Sequence, residues 1–199
     1  MRHRAWSLLA LACLCLVVSA CSSGGSSHRF PPGGELGLKT TAGEPFRFEE
    51  HRDEVKLLYF GFTRCPSACP TALGRAESIA HLLEADSLDQ KLLFLFVSID
   101  PERDSPARLE EYLSFFGVRG IGLTGAEFSI RRAAKRYHVT YEKTLADAQN
   151  GYFFDHTTSF FLIDRAGKLR RVIPPDEPIA NVAQWVRELL SERPPASPA

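Results

Sequence analysis

Tyr59 to Pro70 reads YFGFTRCPSACP, and this stretch sets the rest of the chain in place. It closes an apolar run that begins at Val55, then presents two cysteines four residues apart, Cys65 and Cys69, followed by Pro66 and Pro70. A helical pattern, PTALGRAESIAHLL, starts at once. The run is continuous rather than alternating, so it reads as a strand buried on both faces. Proline suits the first helical turn, where its missing N–H has no partner to lose. The spacing therefore predicts a helix from Pro70 to Glu84, with Cys69 at its cap and Cys65 in the loop ahead. A helix N-terminus favours negative charge by roughly 0.3–1 kcal/mol, which draws a cysteine there towards thiolate. Two thiolates on a short loop have two uses, holding a soft metal or closing a disulfide.

Outward from that stretch, Leu92 to Ile99 (LLFLFVSI) is a second buried strand, ended by Asp100-Pro101. Ser105 then caps a helix that opens with Pro106 and turns Leu109, Tyr112, Leu113 and Phe116 inward. Gly120 to Gly125 holds a short strand. Ala126 to Tyr137 is a third helix, with Phe128, Ile130 and Ala134 as core contacts, and Val139 to Glu142 starts another strand. The polar segment from Thr144 to Gly151, ending in Asn-Gly, reads as a loop. Ser159–Ile163 and Leu169–Ile173 flank DRAGK as a β-hairpin, and Ile179 to Leu190 forms the last helix with Val182, Trp185, Val186 and Leu189 on one side. Gly37 to Glu49 alternates about a glycine turn as a weak hairpin in front. This order predicts an α/β, thioredoxin-like fold with an N-terminal β-hairpin and an inserted helix.

The 199 residues carry 24 basic and 24 acidic side chains and are 44% hydrophobic, enough for one globular domain with a sizeable core and an appendage. No basic excess or Lys/Arg cluster with aromatics is present, which argues against nucleic acid as a partner. Arg2 and Arg4 precede an apolar run from Ala5 to Ala20, the form of an export signal. The run is short of the about 20 apolar residues of a spanning helix. The letters VSAC at Val18 to Cys21 resemble a bacterial lipobox, in which the cysteine is lipidated. Cys13 and Cys15 then leave with the signal, and Cys65 and Cys69 remain for chemistry. A single pair in an exported protein is ordinarily a structural disulfide, but so small a loop gains little chain entropy from closure.

His156, in GYFFDHTTSFFLID, is the third candidate. In a thioredoxin-like sheet the segment entering the late strand approaches the cysteine loop, while locally the histidine has the alternative of backbone hydrogen bonds alone. Two thiolates and one imidazole make a three-donor set suited to Cu(I), with the imidazole also admitting Cu(II). Zinc ordinarily takes a fourth ligand, and none is evident. Asp155 is a candidate to orient His156. Asp100 is either an acceptor near the site or a turn residue before proline. His28, His51, His81 and His138 fall on polar stretches and read as surface residues.

Three blocks now resemble the SCO/SenC family of copper-binding, membrane-tethered assembly proteins: FGFTRCPSACP at Phe60 to Pro70, VSIDPERDSP at Val97 to Pro106, and DHTTSFFLID at Asp155 to Asp164. The resemblance implies Cys65, Cys69 and His156 as ligands of one copper ion, and a role in assembling the CuA centre of cytochrome c oxidase, on subunit II or another exported cuproprotein. Residue pattern and composition place a lipoprotein signal peptide over 1–20, a flexible Gly/Ser/Pro linker over 21–34 after lipidated Cys21 and a disordered tail over 192–199 around a thioredoxin-like copper-binding domain over 35–191, which predicts a membrane-anchored site facing the periplasm or cell exterior. The alternative is a thiol–disulfide oxidoreductase using Cys65 and Cys69 as its redox pair. Against it, thioredoxin-type exchange uses two intervening residues where this chain has three. Nothing marks out a peroxidatic cysteine.

Overall fold

The computed structural model describes residues 33–145 and 151–192. A six-stranded mixed sheet organises them. Its centre is β2 (Val55–Gly61) beside β3 (Leu92–Ser98), paired in parallel from Val55↔Leu92 to Gly61↔Ser98. Every residue of both strands is buried, as apolar sequences broken only by Lys56 and the terminal Ser98 require of strands covered on both sides. Parallel β4 (Gly120–Thr124) continues the sheet from β3, and the two-residue β1 (Lys39–Thr40) lies antiparallel on its edge. On the other side β7 (Phe160–Ile163) runs antiparallel to β2, and β8 (Leu169–Ile173) closes the sheet. Asp164 forms the β7–β8 turn, its Oδ1 accepting the N–H groups of Ala166 and Lys168 at 2.9 Å each.

The helices are α1 (Ala68–Glu84), α2 (Pro106–Ser114), α3 (Glu127–Arg136) and α4 (Ile179–Ser191), with α1 packed against α4. Ser105 caps α2 as its sequence predicts, its side chain accepting the N–H of Arg108 at 3.3 Å. The thioredoxin-like order is present, and the local differences from expectation have physical causes. The front hairpin is reduced to a turn, with one bridge between Lys39 and Pro45, because a short 3₁₀ turn at Phe48–His51 takes over the chain. Phe128 is 73% exposed: α3 buries Ile130, Ala133 and Ala134, and a residue two positions before Ile130 stands on the opposite side. The loop expected from Thr144 to Gly151 begins later, since Thr144 and Leu145 complete a strand; residues 146–150 lie outside the described residues. Tyr141–Leu145 (β5) pairs antiparallel with Tyr152–His156 (β6) as a separate two-stranded ribbon.

Gly33 is buried against Leu169, and its N–H bonds the Arg136 carbonyl at 3.3 Å, so contact with the domain begins inside the segment expected to be a linker. The segment expected as a signal peptide, Cys21, His28 and the tail from 193 lie outside the described residues. No helix among the described residues is long and apolar enough to cross a membrane.

Candidate metal centre

At the C-terminal end of β2 the chain turns sharply, the Cys65 N–H bonding the Phe62 carbonyl at 3.2 Å. The helix that follows starts two residues before Pro70. Ser67 is its cap residue, with no side-chain bond, and Cys69 is the second helical position. The place of a capping side chain is taken by sulfur: the Cys69 N–H donates to Cys65 Sγ at 3.3 Å. Pro70 still sits in the first turn, where an N–H is dispensable. Cys69 is fully buried and Cys65 partly exposed; neither is in a disulfide.

The ribbon brings the third group. Its ladder sets His156 opposite Tyr141, and the chain leaving β6 is held by the Thr157 N–H on the Thr140 carbonyl at 3.0 Å. Alternation along β6 puts Tyr152, Phe154 and His156 on one face. Phe62 packs edge-on against both Phe154 and His156, at centroid separations of 5.4 and 5.9 Å. His156 Nδ1 lies 2.9 Å from the Thr157 carbonyl. A carbonyl only accepts, so Nδ1 carries the proton and Nε2 offers its lone pair. Nε2 lies 3.8 Å from Cys69 Sγ, and ligand atoms of Cys65, Cys69 and His156 all fall within 4.8 Å of one another. Thiolate–metal bonds of about 2.3 Å in a trigonal arrangement set donors about 4 Å apart, so the three groups fit one small soft cation.

The two thiols differ sharply. The Cys69 thiol donates to Cys65, and the N–H groups of Cys69 and Ser67 point at it; against its partial burial these pull the Cys65 pKa down to about 4. Cys69 is pushed up, by its bond to Cys65, by burial and by the neighbouring charge. One negative charge thus rests on the accessible sulfur while the buried sulfur keeps the proton.

The aspartates take other roles than those expected. Asp155 is on the opposite face of β6 from His156, and its Oδ2 accepts from Thr144 Oγ1 at 3.1 Å; the ring is oriented by the Thr157 carbonyl instead. Asp100 is 1% exposed and faces the ribbon. It accepts from the Tyr152 hydroxyl at 2.7 Å and from Arg103 Nε at 2.5 Å. Arg103 also donates to the Tyr152 carbonyl at 2.9 Å and stacks 3.5 Å from the Tyr152 ring. Asp100 therefore acts at a distance, fastening the strand that ends in His156. His51, expected at the surface, is partly buried on Phe46 and bonds Glu54 at 2.9 Å.

Two further groups carry no sequence signal of their own. Buried Asp104 accepts from the Thr63 N–H (3.0 Å), the Thr63 hydroxyl (2.6 Å) and the Ser98 hydroxyl (2.7 Å), tying the cysteine loop to the end of β3. Gly61 leaves room for the thiol: a Cβ there would lie 2.8 Å from Cys69 Sγ. An acid in a polar DPERDS segment and a glycine in a strand are both commonplace in sequence, and their roles appear only across chain separations of 41 and 8 residues.

A family model described as SCO1/SenC matches residues 26–191. An SCO2-like protein of Rickettsia felis is 39% identical over 137 residues, covering 68% of this chain and 66% of its own, so the match spans just under two thirds of that relative. Among solved structures, Bradyrhizobium japonicum ScoI with copper bound is similar with a TM-score of 0.70 and 28% identity, over 79% of this chain and 99% of that one. Yeast Sco1 with copper bound is similar with a TM-score of 0.72 and 30% identity, over 83% and 91%.

Proposed function

The chain belongs to the SCO1/SenC family, and from that premise we propose that it is a membrane-tethered copper carrier for oxidase assembly. One copper ion is held by Cys65, Cys69 and His156, and passes to the CuA centre of cytochrome c oxidase subunit II or to another exported cuproprotein. Lipid on Cys21 keeps the domain at the membrane, facing the periplasm or cell exterior. The observation that carries the reading is the unprotonated His156 Nε2 directed at Cys69 Sγ at 3.8 Å. A dithiol that only exchanges disulfides has no use for an imidazole fixed in this tautomer.

Each group has a definable part. The Cys65 thiolate, charged well below neutral pH and partly exposed, makes first contact with incoming metal. Cys69 gives up its proton on binding, so loading releases protons. His156 closes the site, and the ribbon's attachment through Asp100, Arg103 and Tyr152 sets how firmly it does so. Copper bound here is cargo, and three donors leave room for a recipient's ligand to enter. The test is copper titration of the fully reduced protein beside His156→Ala. We expect one tight equivalent in the wild type and a strongly weakened site in the variant, with the fold kept. Wild-type copper affinity in His156→Ala removes that residue from the site.

A second reading has one observation in its favour: a partly exposed thiol whose pKa is pulled down to about 4 is also equipped for exchange. Under that reading the protein reduces cysteines of exported cuproproteins, and His156→Ala leaves the exchange rate almost unchanged.

A further inference from the structure

Helix α3 carries charge that the metal centre does not use. Its sequence is EFSIRRAAKR, one acid against four bases, in a chain whose 24 basic and 24 acidic side chains balance. Ile130, Ala133 and Ala134 are buried, so the 3.6-residue period turns Phe128, Arg132 and Lys135 outward, with Arg131 and Arg136 on the flanks. All five are exposed, Phe128 at 73%. Glu127 is taken by Arg131 at 2.6 Å. Among the described residues Arg132, Lys135 and Arg136 have no acidic partner, and Arg132 lies over the Phe128 ring, 5.7 Å from its centroid. On the ribbon side of α3 a hollow of about 430 Å³ adds His138 beside Arg131 and Lys135, against one acid, Glu142.

The chain also enters the domain along this helix. The Gly33 N–H bonds the Arg136 carbonyl at 3.3 Å, and the Tyr137 hydroxyl donates to the Gly34 carbonyl at 2.8 Å. A Cβ on Gly37 would lie 2.9 Å from Arg132 Nη2. The 12 residue steps from Cys21 to Gly33 span at most about 40 Å. A folded domain of this size is about 40 Å across, so a tether at Cys21 keeps α3 within one domain diameter of the bilayer. Each basic side chain near an anionic bilayer surface favours the bound state about fivefold, and three together roughly 100-fold.

We propose that the outward face of α3 is a membrane-docking surface. Arg132, Lys135 and Arg136 engage the phosphates of anionic phospholipid headgroups in the bilayer that holds the tether, and Phe128 enters the interface beside them. The inference rests on the reading of Cys21 as a membrane anchor. Because α3 follows β4, which is parallel to β3 and β2, it begins at the end of the sheet that carries the metal centre and runs back towards the other. A domain lying on α3 therefore opens its metal centre sideways along the bilayer, towards a recipient in the same membrane.

The test places the full chain on vesicles through its N-terminal apolar segment and reads what α3 touches. Phe128→Trp is made in a Trp6→Phe chain, beside Phe115→Trp, a position 76% exposed just after α2. Vesicles of phosphatidylglycerol or of phosphatidylcholine carry lipids brominated just below the headgroup, which quench a tryptophan in contact with them. Quenching is expected in Phe128→Trp on phosphatidylglycerol, with little on phosphatidylcholine, and is lost at high salt. Phe115→Trp is expected to stay unquenched. Adding Arg132→Gln, Lys135→Gln and Arg136→Gln is expected to lower the docked-to-undocked ratio roughly 100-fold, with the circular dichroism spectrum and copper affinity kept. An unquenched Phe128→Trp on vesicles that retain the chain overturns the inference and leaves the anchor standing. Quenching equal on the two lipids, or indifferent to the triple substitution, overturns it as well, since headgroup charge is then not what α3 meets. A chain that floats with neither vesicle removes the anchor reading and this inference together.

Discussion

Gly61→Ala is the smallest change with the largest consequence expected at the site. The added Cβ would lie 2.8 Å from Cys69 Sγ, 2.9 Å from Tyr59 Cε1 and 3.0 Å from Phe96 Cζ. Apolar atoms rest about 3.5–4.0 Å apart, so the methyl overlaps three neighbours by roughly half an ångström or more each. Two of the three are ring atoms of residues that are themselves fully buried, and neither has space to retreat. Overpacking of this kind costs about 1–3 kcal/mol, and this site belongs near the top of that range. For a domain of this size each kcal/mol lowers the melting temperature by about 2–4 °C, which gives a loss of about 4–12 °C. Because Cys69 Sγ is the least anchored of the three, it should move, and Cu(I) affinity should fall at least about tenfold, equivalent to about 1.4 kcal/mol. Gly74→Ala supplies the internal contrast. Gly74 is inside α1 with nothing within 4 Å of its added Cβ, so alanine there should stabilise by about 0.5–1 kcal/mol. Thermal unfolding followed by circular dichroism, with competitive Cu(I) titration, reads both. Equal melting temperatures and copper affinities for wild type and Gly61→Ala would refute the steric argument.

Thr63→Val removes the hydroxyl that donates to buried Asp104 and accepts from Arg108 Nε at 2.7 Å. Leaving buried Asp104 short of a partner should cost about 1–3 kcal/mol in chemical denaturation, and an unchanged midpoint would show the network to be dispensable. Lys56 is buried at the far end of β2, and burial lowers its pKa to about 8 from 10.5. The folded chain then binds fewer protons at Lys56 than the unfolded chain does between those two values, so this group makes stability rise with pH across that window. The rise should appear as a difference between wild type and Lys56→Met in denaturation at pH 8 and pH 10; parallel curves would mean that Lys56 is not desolvated.

The local sequence was sufficient wherever chain neighbours decide the outcome. Unbroken apolar runs announced β2 and β3, Ser105-Pro106 announced the start of α2, and DRAGK announced the β7–β8 turn, because periodicity and capping act within a few residues. The CPSACP block marked the place of the chemistry for the same reason. The start of α1 lies two residues before the Pro70 that its sequence marks, where a sulfur and not a standard capping oxygen accepts the Cys69 N–H. The sequence marks the start of β5 near Val139 to Glu142 but not its pairing with β6, because the anchors of that ribbon, Asp100 and Arg103, are about 50 residues away from Tyr152. His156 was legible as a candidate, whereas its tautomer and the direction of Nε2 depend on how the ribbon leaves β6. Alternation along that same strand turned Asp155 away. Residue type and spacing determined which donors this protein carries; the tertiary structure decided which atoms face each other, since a hydrogen bond or a ligand set is a relation between positions that only the folded sheet brings within a few ångströms.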